Sequence, residues 1–124
     1  MQNAINWFEI PVTNMNRAIA FYEAMSGRSL RREPFGAPGS DMAIFEMPEA
    51  SAVMGALMLS PEGQPSTTGT QVYLNAAPSL DAWLGRVVAS GGAIVMPKFE
   101  LPDGNGWIAH IMDTEGNRVG LHTE

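Results

Sequence analysis

Residues 5–27 read INWFEIPVTNMNRAIAFYEAMSG, and they change period partway through. Ile5–Val12 alternates and is rich in β-formers, the pattern of a half-buried strand. Thr13 and Asn14 are helix-capping types. Met15, Ala18, Ile19, Tyr22 and Met25 then recur at spacings of three and four, an apolar helical stripe. Gly27 follows where a left-handed C-cap belongs. Residues 71–92, QVYLNAAPSLDAWLGRVVASGG, say the same thing again. QVYLNA alternates, Ser79 is the cap after Pro78, and Leu80, Trp83, Leu84, Val87 and Val88 make the stripe. Gly91 and Gly92 close it. Strand, cap, helix and glycine stop thus occur twice, about 65 residues apart, which is too long a period for a solenoid and reads as a duplicated module.

Each helix is followed by three short β-like runs. They are 28–35, 41–47 and 53–60 in the first half, and 93–98, 106–112 and 117–122 in the second. The Pro/Gly/Ser/Thr-rich run 60–69 reads as the connection between halves. The expected architecture is α+β: modules βαβββ at 1–62 and 70–124, joined by 63–69. Their eight strands form a curved mixed sheet around a cavity, with both helices on the outer face. The turn LPDGNG (101–106) lacks the strand–glycine–helix context and lysine of a phosphate loop and reads as a tight turn or flap.

The totals set the class. In 124 residues, 45% are apolar, enough for one globular core. No run approaches the roughly 18 apolar residues of a membrane span, so no membrane partner is expected. The start MQNAINWFE shows no basic, then apolar, signal pattern, and the cytoplasm is the expected location. Without cysteine there is no disulfide or thiolate chemistry. A net charge of −6 with scattered Lys and Arg repels phosphate backbones, so no nucleic-acid partner is expected.

The two modules, with VTNMNRAIAFYEAMSG (12–27) at the first helix and IMDTEGNRVGL (111–121) near the end, resemble the vicinal oxygen chelate superfamily: glyoxalase I, bleomycin-resistance proteins, fosfomycin-resistance enzymes and extradiol dioxygenases. The string MPKFELPDGNGWIAHIMDTEGNRVGLH (96–122) is similar to small glyoxalase-related proteins. The resemblance implies a site between the paired sheets. There, up to four ligands hold a divalent ion that grips two neighbouring substrate oxygens and stabilises an enediolate-like anion. It also implies a homodimer, in which open sheet edges pair. Carried over position by position, the ligand set falls on Trp7, on Gly55 or Ala56, on Gln71 and on Gly120. None is a good ligand: indole, hydrogen and methyl have no donor lone pair, and an amide is a poor one. No cofactor is therefore expected at that place.

Period two sorts the strand faces. With Trp7 inward, Glu9 joins it; with Gln71 inward, Tyr73 and Asn75 follow; Gly120 brings Arg118 and His122; His110 goes with Ile108. The candidate catalytic pair is His110 with Glu9, as orienting partner or base. The candidate ligand-binding wall is Trp7, Gln71, Tyr73, Asn75, Ile108 and His122, with Met54 or Met58 beside it. Three functions follow: a metal-independent binder of a small aromatic or oxygenated molecule; a metal-independent isomerase or lyase moving protons through His110 and Glu9; or a divalent-metal lyase or dioxygenase using a non-standard set such as Glu9, His110 and His122.

Overall fold

The computed structural model describes residues 3–34 and 36–124. Phe35, expected at the end of the second strand, lies outside them, as do Met1 and Gln2. The elements run β1 (Trp7–Pro11), α1 (Met15–Ser26), β2 (Leu30–Pro34), β3 (Asp41–Phe45), β4 (Met54–Leu59), β5 (Tyr73–Asn75), α2 (Leu80–Val87), β6 (Ala93–Glu100), a 3-10 turn at Pro102–Gly104, β7 (Trp107–Met112) and β8 (Arg118–Thr123). This is βαβββ twice. Both helices begin as the sequence suggests, with Asn14 Oδ1 accepting from Arg17 N and Ser79 Oγ from Ala82 N. Gly27, at φ 71°, ends α1 in the left-handed region, whereas α2 stops at Val88 in right-handed geometry.

The eight strands divide into two mixed sheets of four, ordered β1-β4-β3-β2 and β5-β8-β7-β6. In each, the strand before the helix runs parallel to the last strand of its module. The edges β1 and β5 are not hydrogen-bonded to each other, so a seam separates the sheets. The helices pack on each other and on the sheets, and one apolar core runs through both modules. Ile10, Val12, Leu57, Leu74, Ala109, Ile111, Val119 and Leu121 point into it, alternating with residues on the opposite, open face. Each fully buried Leu, Ile or Phe there contributes about 1.5–3 kcal/mol.

One end of the seam is tied by the β7–β8 turn. Asp113 accepts from the backbone of Glu115 and Asn117, from Asn117 Nδ2, and from the buried Tyr22 hydroxyl at 2.6 Å. Burial, then the Asp113 charge, raises the Tyr22 phenol well above its usual range. Asn117 Nδ2 also donates to Pro11 O at the end of β1, 2.7 Å. Glu115 reaches the start of α1. Its carboxylate accepts from the backbone N–H of Thr13 and Asn14, both at 2.8 Å, and from Arg17 at 2.6 and 3.0 Å. A carboxylate from the second module therefore caps the first helix of the other, with the favourable dipole sign. Among the described residues, no helix is long and apolar enough to cross a membrane.

Candidate functional site

On the open face of the second sheet three strands meet at one level. Gly120 on β8 is the register partner of Tyr73 on one side and of His110 on the other. A Cβ at Gly120 would lie 2.4 Å from Tyr73 Cδ1. The missing side chain is thus what lets the Tyr73 ring lie across β8. Its hydroxyl comes within 2.6 Å of His110 Nε2. From the other side Arg118 Nε donates to His110 Nδ1 at 3.0 Å. Arg118 is two residues from Gly120 and so shares its face.

These bonds fix the imidazole. An N–H donated to Nδ1 requires a lone pair there, so the neutral ring carries its proton on Nε2 and donates it to the Tyr73 oxygen. The Tyr73 O–H is then free to donate outward. Burial, and secondarily the Arg118 charge, lowers the His110 pKa, which keeps the ring neutral at pH 7. Arg118 makes no ion pair among the described residues. The site is therefore a phenol donor and an unpaired guanidinium held on either side of a neutral imidazole.

The other expected residues take these places. Trp7 and Glu9 share the open face of the first sheet, where Trp7 Nε1 donates to Glu9 at 3.3 Å. Glu9 thus pairs with Trp7, and the partners of His110 are Tyr73 and Arg118 instead. Met54 and Met58 are the register partners of Trp7 and Pro11 and so share that face. Gln71 Nε2 is 3.4 Å from Val72 O and 3.5 Å from Arg118 O, and Asn75 Oδ1 accepts from Ala77 N. Ile108 and His122 are register partners one row from His110. His122 Nε2 lies 2.8 Å from Asn105 O and so ties β8 to the 3-10 turn. Sequence reading missed Arg118 as the imidazole's partner; its signal was the two-residue step from Gly120.

The donor set does not fit the ion that the resemblance implies. Glu9 is the register partner of Ala56, and Tyr73 that of Gly120, so the last strand of neither module offers a ligand there. Among the described residues no three of His, Cys, Asp and Glu converge as a metal cluster would.

The family model described as Glyoxalase/Bleomycin resistance protein/Dioxygenase superfamily matches residues 4–121. The protein named "Putative glyoxylase CFP32" of Mycobacterium tuberculosis (strain CDC 1551 / Oshkosh) is 30% identical over 122 residues, 97% of this chain and 45% of that protein. The chain thus spans less than half the length of that relative. Among solved structures, a V278E mutant of glyoxalase I from Zea mays superposes with a TM-score of 0.71 at 22% identity, over 94% of this chain and 44% of that one. A glyoxalase/bleomycin resistance protein from Albidiferax ferrireducens T118 gives 0.71 at 17% identity, over 98% and 99% of the two chains. At these identities the structural likeness speaks for the fold.

Proposed function

The chain belongs to the Glyoxalase/Bleomycin resistance protein/Dioxygenase superfamily, and within it we propose that it binds a small aromatic, oxygen-bearing molecule without a divalent ion. The Tyr73–His110–Arg118 chain across Gly120 carries this reading. The outward phenol O–H and the remaining guanidinium N–H groups are two donors suited to neighbouring carbonyl and carboxylate oxygens. They stand in for what an ion would do as an electrophile. Trp7, 38% exposed on the adjoining sheet, offers a ring for stacking. A neutral hydrogen bond of this kind contributes about 1 kcal/mol net, and one to a charged group about 1.5–3.

Phenylpyruvate, an aromatic α-keto acid, is a suitable probe. Saturable quenching of tryptophan fluorescence is expected, with affinity falling roughly fivefold in Tyr73→Phe, as loss of one hydrogen bond implies. Chelation and dialysis should leave that affinity unchanged. Absence of saturable binding, or a Kd indifferent to Tyr73→Phe, refutes the reading; stoichiometric retained metal whose removal abolishes binding refutes its metal independence.

The 2.6 Å contact between Tyr73 and His110 favours one second reading, a metal-independent isomerase or lyase. A phenol and an imidazole so close can pass a proton beside a substrate carbonyl. The same probe separates the two. Accelerated keto–enol exchange of phenylpyruvate, lost in His110→Ala with affinity retained, selects the enzyme; an affinity change with no exchange selects the binder.

A homodimer is part of the proposal. The edge strand β6 exposes Ile94, Val95 and Phe99, and an apolar open edge invites pairing. Light scattering is expected to give twice the 13.3 kDa chain mass; a concentration-independent monomer contradicts it.

A further inference from the structure

On the helix side of the seam, away from His110 and Arg118, lies a cavity of about 490 Å³. Its walls are apolar and aromatic: Phe8, Leu30, Phe45, Val72, Leu74 and Trp83. That volume suits a small ligand. The two ends of the seam are held differently. At one end Asp113, Glu115 and Asn117 bind across to β1 and α1. At the other, the β3–β4 turn carries Pro-Glu-Ala-Ser-Ala at 48–52 and, among the described residues, makes no hydrogen bond to β5 or α2.

Two polar features give the cavity a chemical preference. The first is Arg28, which lines it directly after the C-cap of α1. Among the described residues Arg28 makes no ion pair, and its guanidinium's hydrogen bond goes to Met47 Sδ at 3.2 Å, a weak acceptor. Glu46, also in the lining, is already paired with Arg31. The second is the free edge of β5. Val72 O accepts from Gly120 N, and Ala76 N donates to His122 O, so the even-numbered residues face β8. The N–H and C=O of Tyr73 then point the opposite way, toward the seam, where no strand pairs with them. Tyr73 therefore shows its backbone to this cavity and its phenol to the open face.

We propose that the seam cavity is a second binding site, for a small amphipathic monocarboxylate. Its aromatic or short aliphatic body lies among Phe8, Phe45 and Trp83, and its carboxylate on Arg28. The cavity shares Gln71, Tyr73 and Asn75 with the wall described above, but its apolar body and Arg28 take no part in the Tyr73–His110–Arg118 chain.

The test uses 4-phenylbutyrate and its uncharged amide, 4-phenylbutanamide, followed by methyl NMR on the full chain. Saturable shifts are expected at Leu30, Val72 and Leu74, with Met96, beside His110 on the open face, unmoved. Arg28→Gln, at an exposed position, should weaken phenylbutyrate tenfold or more and the amide less than twofold, because a charge-assisted bond is lost only for the acid. Ala52→Trp, in the cavity wall, should block both probes. The proposal is overturned by absence of saturable binding, by equal weakening of acid and amide in Arg28→Gln, or by shifts centred on Met96. If Ala52→Trp fails to fold, the Arg28→Gln comparison alone decides.

Discussion

Glu115→Ala is expected to destabilise the protein by roughly 3–5 kcal/mol, the range for removing one partner of a buried charged network, and to lower the melting temperature by about 10 °C or more. The Glu115 side chain is fully buried, while its partner Arg17 is half exposed. Removing the carboxylate orphans the backbone N–H groups of Thr13 and Asn14 and unties the second module from α1. The same group predicts an acid transition. Burial alone would raise its pKa, but the bonds from Arg17, Thr13, Asn14 and Thr114 outweigh burial and hold it at about 2. A carboxyl whose folded pKa lies below its unfolded value binds fewer protons when folded. Its stabilisation is therefore complete above the unfolded value of 4.5 and is lost as pH falls toward 2. The shift corresponds to roughly 3 kcal/mol. Urea midpoints at pH 7 and pH 3 check this: the wild type should lose much of its stability between them, and Glu115→Gln should lose distinctly less. A Glu115→Ala variant melting within 2 °C of wild type would show that the seam is held elsewhere.

This carboxylate also marks where the sequence stops being legible. The two helical stripes, their Asn14 and Ser79 caps and the strand alternation are local patterns. The structure keeps them, down to the faces of Trp7, Tyr73 and His110, except at Val88, which lies past the end of α2 and is 66% exposed. DTEGN was readable as a turn, but its reach to Thr13 depends on how the modules dock, which no local period encodes. The same holds for β5. Alternation over 71–76 suggested a longer strand than Tyr73–Asn75, although Val72 O and Ala76 N still extend its ladder to β8. The seam between β1 and β5 was not legible either, because strand patterns predict faces and not which edges meet. At the site, periodicity puts His110 on the face of Gly120, as the register has it, but cannot choose its partner. Glu9 and Tyr73 shared the expected cavity wall, and the choice fell to Tyr73 because it sits one strand away across a residue with no side chain. Gly120 stands at a lost ligand position; in the structure it is also the gap that the Tyr73 ring fills.

Gly120→Ala tests that double role. A methyl there would stand 2.4 Å from the Tyr73 ring, closer than any tolerated contact, so ring or strand must move. Tyr73 is 44% exposed and the ring has an escape into solvent. The stability loss should therefore stay near the low end of the roughly 1–3 kcal/mol seen for overpacking. The effect on the site should be large. With the ring displaced, the Tyr73–His110 bond breaks, and phenylpyruvate affinity is expected to fall about tenfold, since both the oriented donor and its aromatic wall are lost. His110 would gain water on the side Tyr73 now covers. Because burial is the leading cause of its lowered pKa, that pKa should rise toward the ordinary imidazole range while Arg118 continues to oppose full recovery. Proton-resolved NMR of the His110 ring reads the shift directly. Tyr73→Ala should raise it in the same direction, and adding Gly120→Ala to Tyr73→Ala should change little further, because the methyl then meets no ring. If the His110 titration and the phenylpyruvate Kd are both unchanged in Gly120→Ala, the bare position on β8 is not what organises this face. The donor role given to Tyr73 would then fall with it.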